Sequence, residues 1–166
     1  MWREIGGFDE ELQTNEDYDF NYRVRLNGKT VLLDRSEHCE YFARPTLKDL
    51  FFQYSRYGTW KARMIRRHPR SVKWRHAVAP AFVASLPILL ISGFWLRPAW
   101  WILLLELGIY VLLAVAFAAR LARQYGEGAR LIVTLPLVFL TIHLSWGSTL
   151  LLGLLGPRQR MERLCT

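Results

Sequence analysis

The sequence predicts a mixed α/β front segment followed by an α-helical membrane region of about three spans. Charge partition is the first observation behind this. Residues 1–76 hold 15 of the 22 Lys and Arg and 11 of the 14 Asp and Glu, leaving 7 and 3 for the other 90. Long apolar runs confined to the back are the second. The third is a helix–strand–helix pattern in the front.

Three apolar stretches are long enough for a bilayer core of about 30 Å, which takes about 20 helical residues. They are "AVAPAFVASLPILLISGFWL" (77–96), "PAWWILLLELGIYVLLAVAFAA" (98–119) and "LIVTLPLVFLTIHLSWGSTLLLGLLG" (131–156). Pro80, Pro87 and Pro136 are tolerable inside membrane helices. Only Arg97 and Pro98 part the first two stretches, which predicts a tight hairpin with Trp95, Trp100 and Trp101 at an interfacial depth. The domain division is then 1–60, a basic interfacial helix over 61–76, and a membrane region over 77–166.

In the front, Asn15 is placed to cap a helix whose first turn carries Glu16, Asp17 and Asp19. Phe20 and Val24 supply its apolar face, and Asn27-Gly28 ends it. "KTVLLD" (29–34) reads as a short strand. "TLKDLFFQYSRYGTWKARMIRRH" (46–68) reads as a second helix, amphipathic and increasingly basic. Two helices and one strand in about 60 residues make a marginal core, so the front reads as the end of a larger unit.

"KARMIRRHPRSVKWR" (61–75) has seven basic residues and no acid. Beside an apolar run it reads as a membrane-surface segment binding anionic lipid rather than nucleic acid, gaining about 1 kcal/mol per Lys or Arg. The same bias puts the front segment and the "RLARQYGEGAR" loop (120–130) in the cytoplasm. Three full spans then send "PRQRMERLCT" (157–166) to the far side despite its three Arg, unless the third stretch is re-entrant. Cys39 and Cys165 form no CxxC pattern. "MWREIGGFDEEL" lacks the apolar core of a signal peptide.

The three clustered acids have a plain reading. Carboxylates in a first helical turn gain about 0.3–1 kcal/mol each from the helix dipole. Their neighbours add a sharper one. "IGGFDEEL", "NEDYDFNYRVRLNGKTVLLD" and "RPTLKDLFFQYSRYGTWK", in this order and spacing, resemble the C-terminal half of family 2 glycosyltransferases. These are inverting enzymes of GT-A fold. The likeness is to bacterial exopolysaccharide enzymes of the succinoglycan type, in which membrane spans follow the catalytic domain, and it covers essentially the whole chain.

The resemblance implies transfer of a sugar from a nucleotide-sugar donor to a polyprenyl-linked saccharide acceptor at the bacterial inner membrane. In the family's "ED" motif the aspartate takes the acceptor hydroxyl's proton, a role typically contributing about 10²–10⁴-fold. Asp17 is then the candidate base and Glu16 its neighbour, with Asp19 a further first-turn acid. "QYSRY" is similar to the family's QxxRW motif: Gln53 and Arg56 match, and Tyr57 stands where Trp would be. Arg56 would steady the leaving diphosphate, and Tyr57 would stack on a sugar. Gly7 and Asp9, within "GGFDE", would lie beside the acceptor; the alternative is a tight turn in which glycine supplies positive φ. His38 is a lone histidine, read as structural rather than as a ligand.

The family also implies a divalent cation, Mg or Mn, held by a DxD motif on the donor diphosphate. Asp17-Tyr18-Asp19 stands in the wrong element for it, so the ligands are expected outside this sequence. By itself the chain is expected to be inactive, requiring a complementing N-terminal chain or a synthesis complex. The alternative is a non-catalytic small membrane protein that binds anionic lipid and a partner complex. Within the spans Glu106 and His143 fall at matching depth, predicting a hydrogen bond between them; the rival is that each bonds locally.

Overall fold

The computed structural model describes residues 2–10, 12, 14–34, 36–126 and 128–156. The tail from Pro157, with Cys165, lies outside the described residues, so its sidedness is left as the sequence posed it.

Among the described residues six helices follow in chain order: α1 (Trp2–Ile5), α2 (Glu16–Leu26), α3 (Leu47–Arg67), α4 (Arg75–Ser92), α5 (Arg97–Tyr125) and α6 (Ala129–Leu155). A 3-10 turn, Pro69–Ser71, links α3 to α4. Among the described residues there is no strand. This corrects the α/β expectation, and "KTVLLD" is the segment responsible. Its β-rich composition is real, but a strand exists only through a ladder with a neighbour, and among the described residues of 30–45 no backbone–backbone hydrogen bond reaches another segment. Leu32 and Leu33 stand 89% and 85% exposed there.

The helices themselves are set locally. Thr46 caps α3: its Oγ1 accepts from the Asp49 N–H at 3.1 Å and donates to Asp49 Oδ2 at 2.6 Å. α2 ends as Asn27-Gly28 predicts, with Gly28 at φ 69° and the Lys29 N–H on the Val24 carbonyl. Pro98 opens α5 and Gly126, at φ 68°, closes it.

α4, α5 and α6 are each long and apolar enough to cross a membrane. They fall on the three predicted stretches, and the α4–α5 turn is tight, with Leu96 the only residue between its last turn position and Arg97. Hydroxyls in α6 are satisfied inside the helix: Thr141 donates to Leu137 O, Ser145 to Thr141 O and Thr149 to Ser145 O. Glu106 and His143 find different partners across the bundle. Ser85 donates to Glu106 at 2.7 Å, and the Tyr110 hydroxyl and His143 Nδ1 are 2.9 Å apart. The predicted bond between the two is therefore corrected. His143 meets α5 at Tyr110, four residues on from Glu106, and packing there includes the stack of Phe82 on Tyr110 at 4.7 Å.

The main packing contact joins α3 to α6. At Gly58 an added Cβ would lie 2.6 Å from the Trp146 carbonyl, so only glycine admits this approach. Ala62 and Leu150 are buried together, with Ile65, Trp146 and Leu154 around them. Gly147 makes a second close crossing, against Ala79 and Val83 of α4. Small residues at such crossings let backbones meet where lipid removes the hydrophobic drive between helices.

Candidate functional site

The front of the molecule is assembled around Asp19. Its carboxylate, 1% exposed, accepts from Arg23 Nε at 2.8 Å and sits 3.0 Å from His68 Nε2. This pins α2 to the end of α3. Arg23 carries the tie further, donating to the Ile5 carbonyl and, at 2.7 Å, to the Gly7 carbonyl. Asp19 is thus a structural anchor rather than a solvated first-turn acid.

The glycine pair turns as its φ values require: Gly6 at 85° and Gly7 at 66°. A Cβ on Gly7 would press the Trp2 ring at 3.2–3.3 Å. Trp2, Phe8 and Phe20 form a cluster with centroids 4.6–5.3 Å apart. Asp9 pairs with Arg67 and, with Gly6, Phe8, Asp19 and His68, borders a shallow hollow on this side.

Two further hollows lie between α2, α3 and their neighbours. One, of about 550 Å³, is lined by Thr14, Arg44, Pro45, Asp49, Phe52, Gln53, Arg56 and Tyr57. Gln53 Nε2 donates to the hydroxyls of Tyr57 at 2.8 Å and Tyr41 at 3.0 Å, fixing the amide and the aromatic together. The Arg56 and Arg44 guanidiniums have no hydrogen-bond or ion-pair partner among the described residues. Arg44 was not singled out by sequence; its place directly before the Pro45–Thr46 cap of α3 was the available signal.

The second hollow, about 520 Å³, is lined by Thr14, Asn15, Glu16, Asp17, Tyr18, Tyr54, Tyr57, Lys61, His76 and Trp146. Asp17 is exposed, and its Oδ1 accepts from the Tyr18 N–H at 2.7 Å. Asn15 occupies the N-cap position with φ 63° and makes no side-chain cap bond. Thr14 Oγ1, Asn15 Nδ2 and Glu16 Oε2 are buried without a hydrogen-bond partner among the described residues. Lys61 is 6% exposed, with Nζ 3.5 Å over the Tyr18 ring. Burial, then the nearby Arg75 and Lys73, hold its ammonium down at about 8 against a usual 10.5. Burial likewise pushes the Tyr54 phenol up.

Thr14 and Tyr57 line both hollows, so the candidate base and the candidate diphosphate clamp open onto adjoining space. Asp9 and Gly7 belong to the other side, with Arg67 and Trp2. Among the described residues no three His, Cys, Asp or Glu side chains converge as a metal site needs. The acids of α2 diverge: Asp19 turns inward to Arg23 and His68 while Asp17 faces outward, so this triplet does not fit a cation.

The model of a family described as glycosyl transferase family group 2 matches residues 1–119. The chain belongs to this family. It is also similar to the succinoglycan biosynthesis protein ExoA of Rhizobium meliloti (strain 1021), with 24% identity over 164 residues. That match covers 96% of this chain and 46% of the relative, so the chain spans about half the length of the curated relative it matches. No solved structure matches it.

Proposed function

We propose that the chain supplies the acceptor side of a membrane-anchored, inverting glycosyltransferase that moves a sugar from a nucleotide-sugar donor to a lipid-linked saccharide during exopolysaccharide synthesis. The adjoining of two hollows supports this reading. Asp17 stands in one, Arg44, Gln53 and Arg56 in the other, and Tyr57 between them. An acceptor hydroxyl held at Asp17 gives up its proton as it attacks the anomeric carbon. Negative charge then grows on the departing diphosphate, and two uncommitted guanidiniums are placed to receive it. Tyr57, oriented by Gln53, offers a ring face at the junction.

The three apolar helices fit an inner-membrane anchor with the front segment cytoplasmic. The divalent ion of the family has no ligand set among the described residues, and no step here is routed through it. Donor binding is assigned to sequence that the relative has and this chain does not match. On this reading these 166 residues alone do not turn over.

The test is Asp17→Asn in membranes that hold the protein together with its donor-binding complement. Transfer of labelled sugar from nucleotide-sugars to the lipid fraction should fall about 10²–10⁴-fold, with unchanged membrane insertion. Undiminished transfer rejects Asp17 as the base.

A further inference from the structure

Lys61 is a cation in an unusual position. It is 6% exposed, and among the described residues no carboxylate lies within ion-pair distance of it. Its polar contacts are the Tyr18 ring face, 3.5 Å from Nζ, and the Met64 sulfur at 4.0 Å. Neither neutralises a charge. A buried ammonium without a counter-ion costs stability, and a cheaper side chain for the α3–α6 packing was open to the sequence.

The surroundings point to what the charge is for. Lys61 lines the same hollow as His76, at the start of α4, and Trp146 of α6, so one wall is built from the membrane helices. Lys73 and Arg75 are near enough to act on Lys61 electrostatically. Opposite, the α2 wall presents three buried and unpartnered polar atoms, Thr14 Oγ1, Asn15 Nδ2 and Glu16 Oε2. Asn15 adopts left-handed backbone, φ 63°, with its amide uncommitted. An unpaired buried cation and unpaired buried polar groups around one cavity of about 520 Å³ describe a site shaped for a charged ligand.

We infer that Lys61, with His76 beside it, binds the phosphoryl group of the lipid-linked acceptor, holding the lipid phosphate on the α3–α4 wall while Asp17 and Asn15 on the α2 wall meet the acceptor's hydroxyls. The inference rests on the proposed function for the sugar end alone; the anion site stands on its own geometry. Segregation of charge makes the assignment directional. Glu16 and Asp17 repel phosphate from the α2 wall, and Lys61, Lys73 and Arg75 draw it to the other, where His76, whose Nδ1 accepts from the Lys73 N–H, keeps Nε2 to donate a hydrogen bond. The lowered proton affinity of Lys61 fits a cation awaiting an anion.

The experiment uses the full 166-residue chain in neutral phosphatidylcholine nanodiscs, with farnesyl phosphate as probe. The wild type should bind it. Lys61→Met, which keeps the stem's packing and removes the charge, should weaken binding roughly tenfold or more while holding or raising the thermal midpoint. His76→Gln should weaken it less, and it serves if the first variant misfolds. Farnesol should not bind, and inorganic diphosphate should compete only weakly. Equal affinity in Lys61→Met overturns the inference, as does weakened binding with a fallen midpoint, which marks a merely structural lysine. Equal binding of farnesol, tighter binding of inorganic diphosphate, or mole-for-mole displacement by phosphatidylglycerol overturns the assignment to the acceptor's phosphate. Asp17→Asn should leave the probe bound, so lost transfer there alongside an unchanged Lys61→Met affinity removes this inference and keeps the proposed function.

Discussion

The Arg66 guanidinium lies on the last carbonyls of α6, donating to Leu154 at 2.8 Å and also to Gly156. The final carbonyls of a helix lack partners of their own, and a cation there also meets the negative end of the helix dipole. With Gly58 against Trp146 and Thr149, this makes α3 and α6 run alongside in the same direction over about two turns. The end of α6 is thereby held beside the basic end of α3.

That relationship predicts sidedness. In a background with Cys39 and Cys165 replaced by Ser, Gly156→Cys and Arg70→Cys should be labelled by an impermeant maleimide from the same face of sealed vesicles. Labelling from opposite faces would mean that α6 carries the chain away from α3. Arg66→Met should also destabilise the fold by about 1–3 kcal/mol through lost charged hydrogen bonding, read as a lowered thermal midpoint.

Gly58 and Gly108 should respond oppositely to alanine. At Gly58 the new methyl meets the Trp146 carbonyl at 2.6 Å, and backbone cannot swing aside as a side-chain tip can. Gly58→Ala should cost about 1–3 kcal/mol, as overpacking does. Gly108 has nothing within 4 Å, and Gly108→Ala should be neutral or stabilising by up to about 1 kcal/mol. Thermal unfolding in one detergent compares them; equal effects would reject the close α3–α6 crossing.

Asp17 and Asp19 should separate activity from stability. Asp19→Asn disturbs a buried carboxylate shared by Arg23 and His68, and should cost about 2–3 kcal/mol. Because Arg23 also holds the Ile5 and Gly7 carbonyls, amide exchange at Gly7, whose N–H bonds Trp2 O at 3.1 Å, should speed up. Asp17→Asn, on an exposed carboxylate, should leave both unchanged. If the two variants unfold alike, the division of labour fails.

That division was partly legible in the sequence. Residues two apart on a helix point to opposite sides, so Asp17 and Asp19 could never share one solvated face. What spacing left open was which of them faced inward, since that depends on Arg23 and His68, the latter 49 positions away. The helices were readable because caps and apolar runs are local: Thr46 before α3, Gly28 after α2, Pro98 at the head of α5. The strand misreading had the converse cause, because "KTVLLD" has strand-forming side chains but pairing is non-local. Lys61 was submerged in a run of seven basic residues. Its spacing from Tyr54 and Tyr57, seven and four residues, places the three on one stripe of α3 and was the signal that set it apart.

The pH dependence of Lys61 follows from its environment with a definite sign. Burial, Arg75 and Lys73 bring its pKa from 10.5 to about 8 in the folded chain. The unfolded chain therefore binds the proton more tightly, and stability should rise with pH between about 8 and 10.5. Phosphate binding runs the other way. The anion needs the ammonium form and raises its pKa, so affinity should hold below about 8 and fall as pH climbs beyond it. Other titratable groups line the same hollow, namely Glu16, Asp17 and Tyr18 from α2, Tyr54 and Tyr57 from α3, and His76 from α4, and the charges of Lys73 and Arg75 act on Lys61. The informative quantity is consequently the difference between wild type and Lys61→Met. In the wild type, stability and farnesyl phosphate affinity should move in opposite directions above pH 8, and in the variant that opposition should vanish. A variant that retains both slopes would assign them to the tyrosines and histidine instead, and Lys61 would be no more than a packed stem.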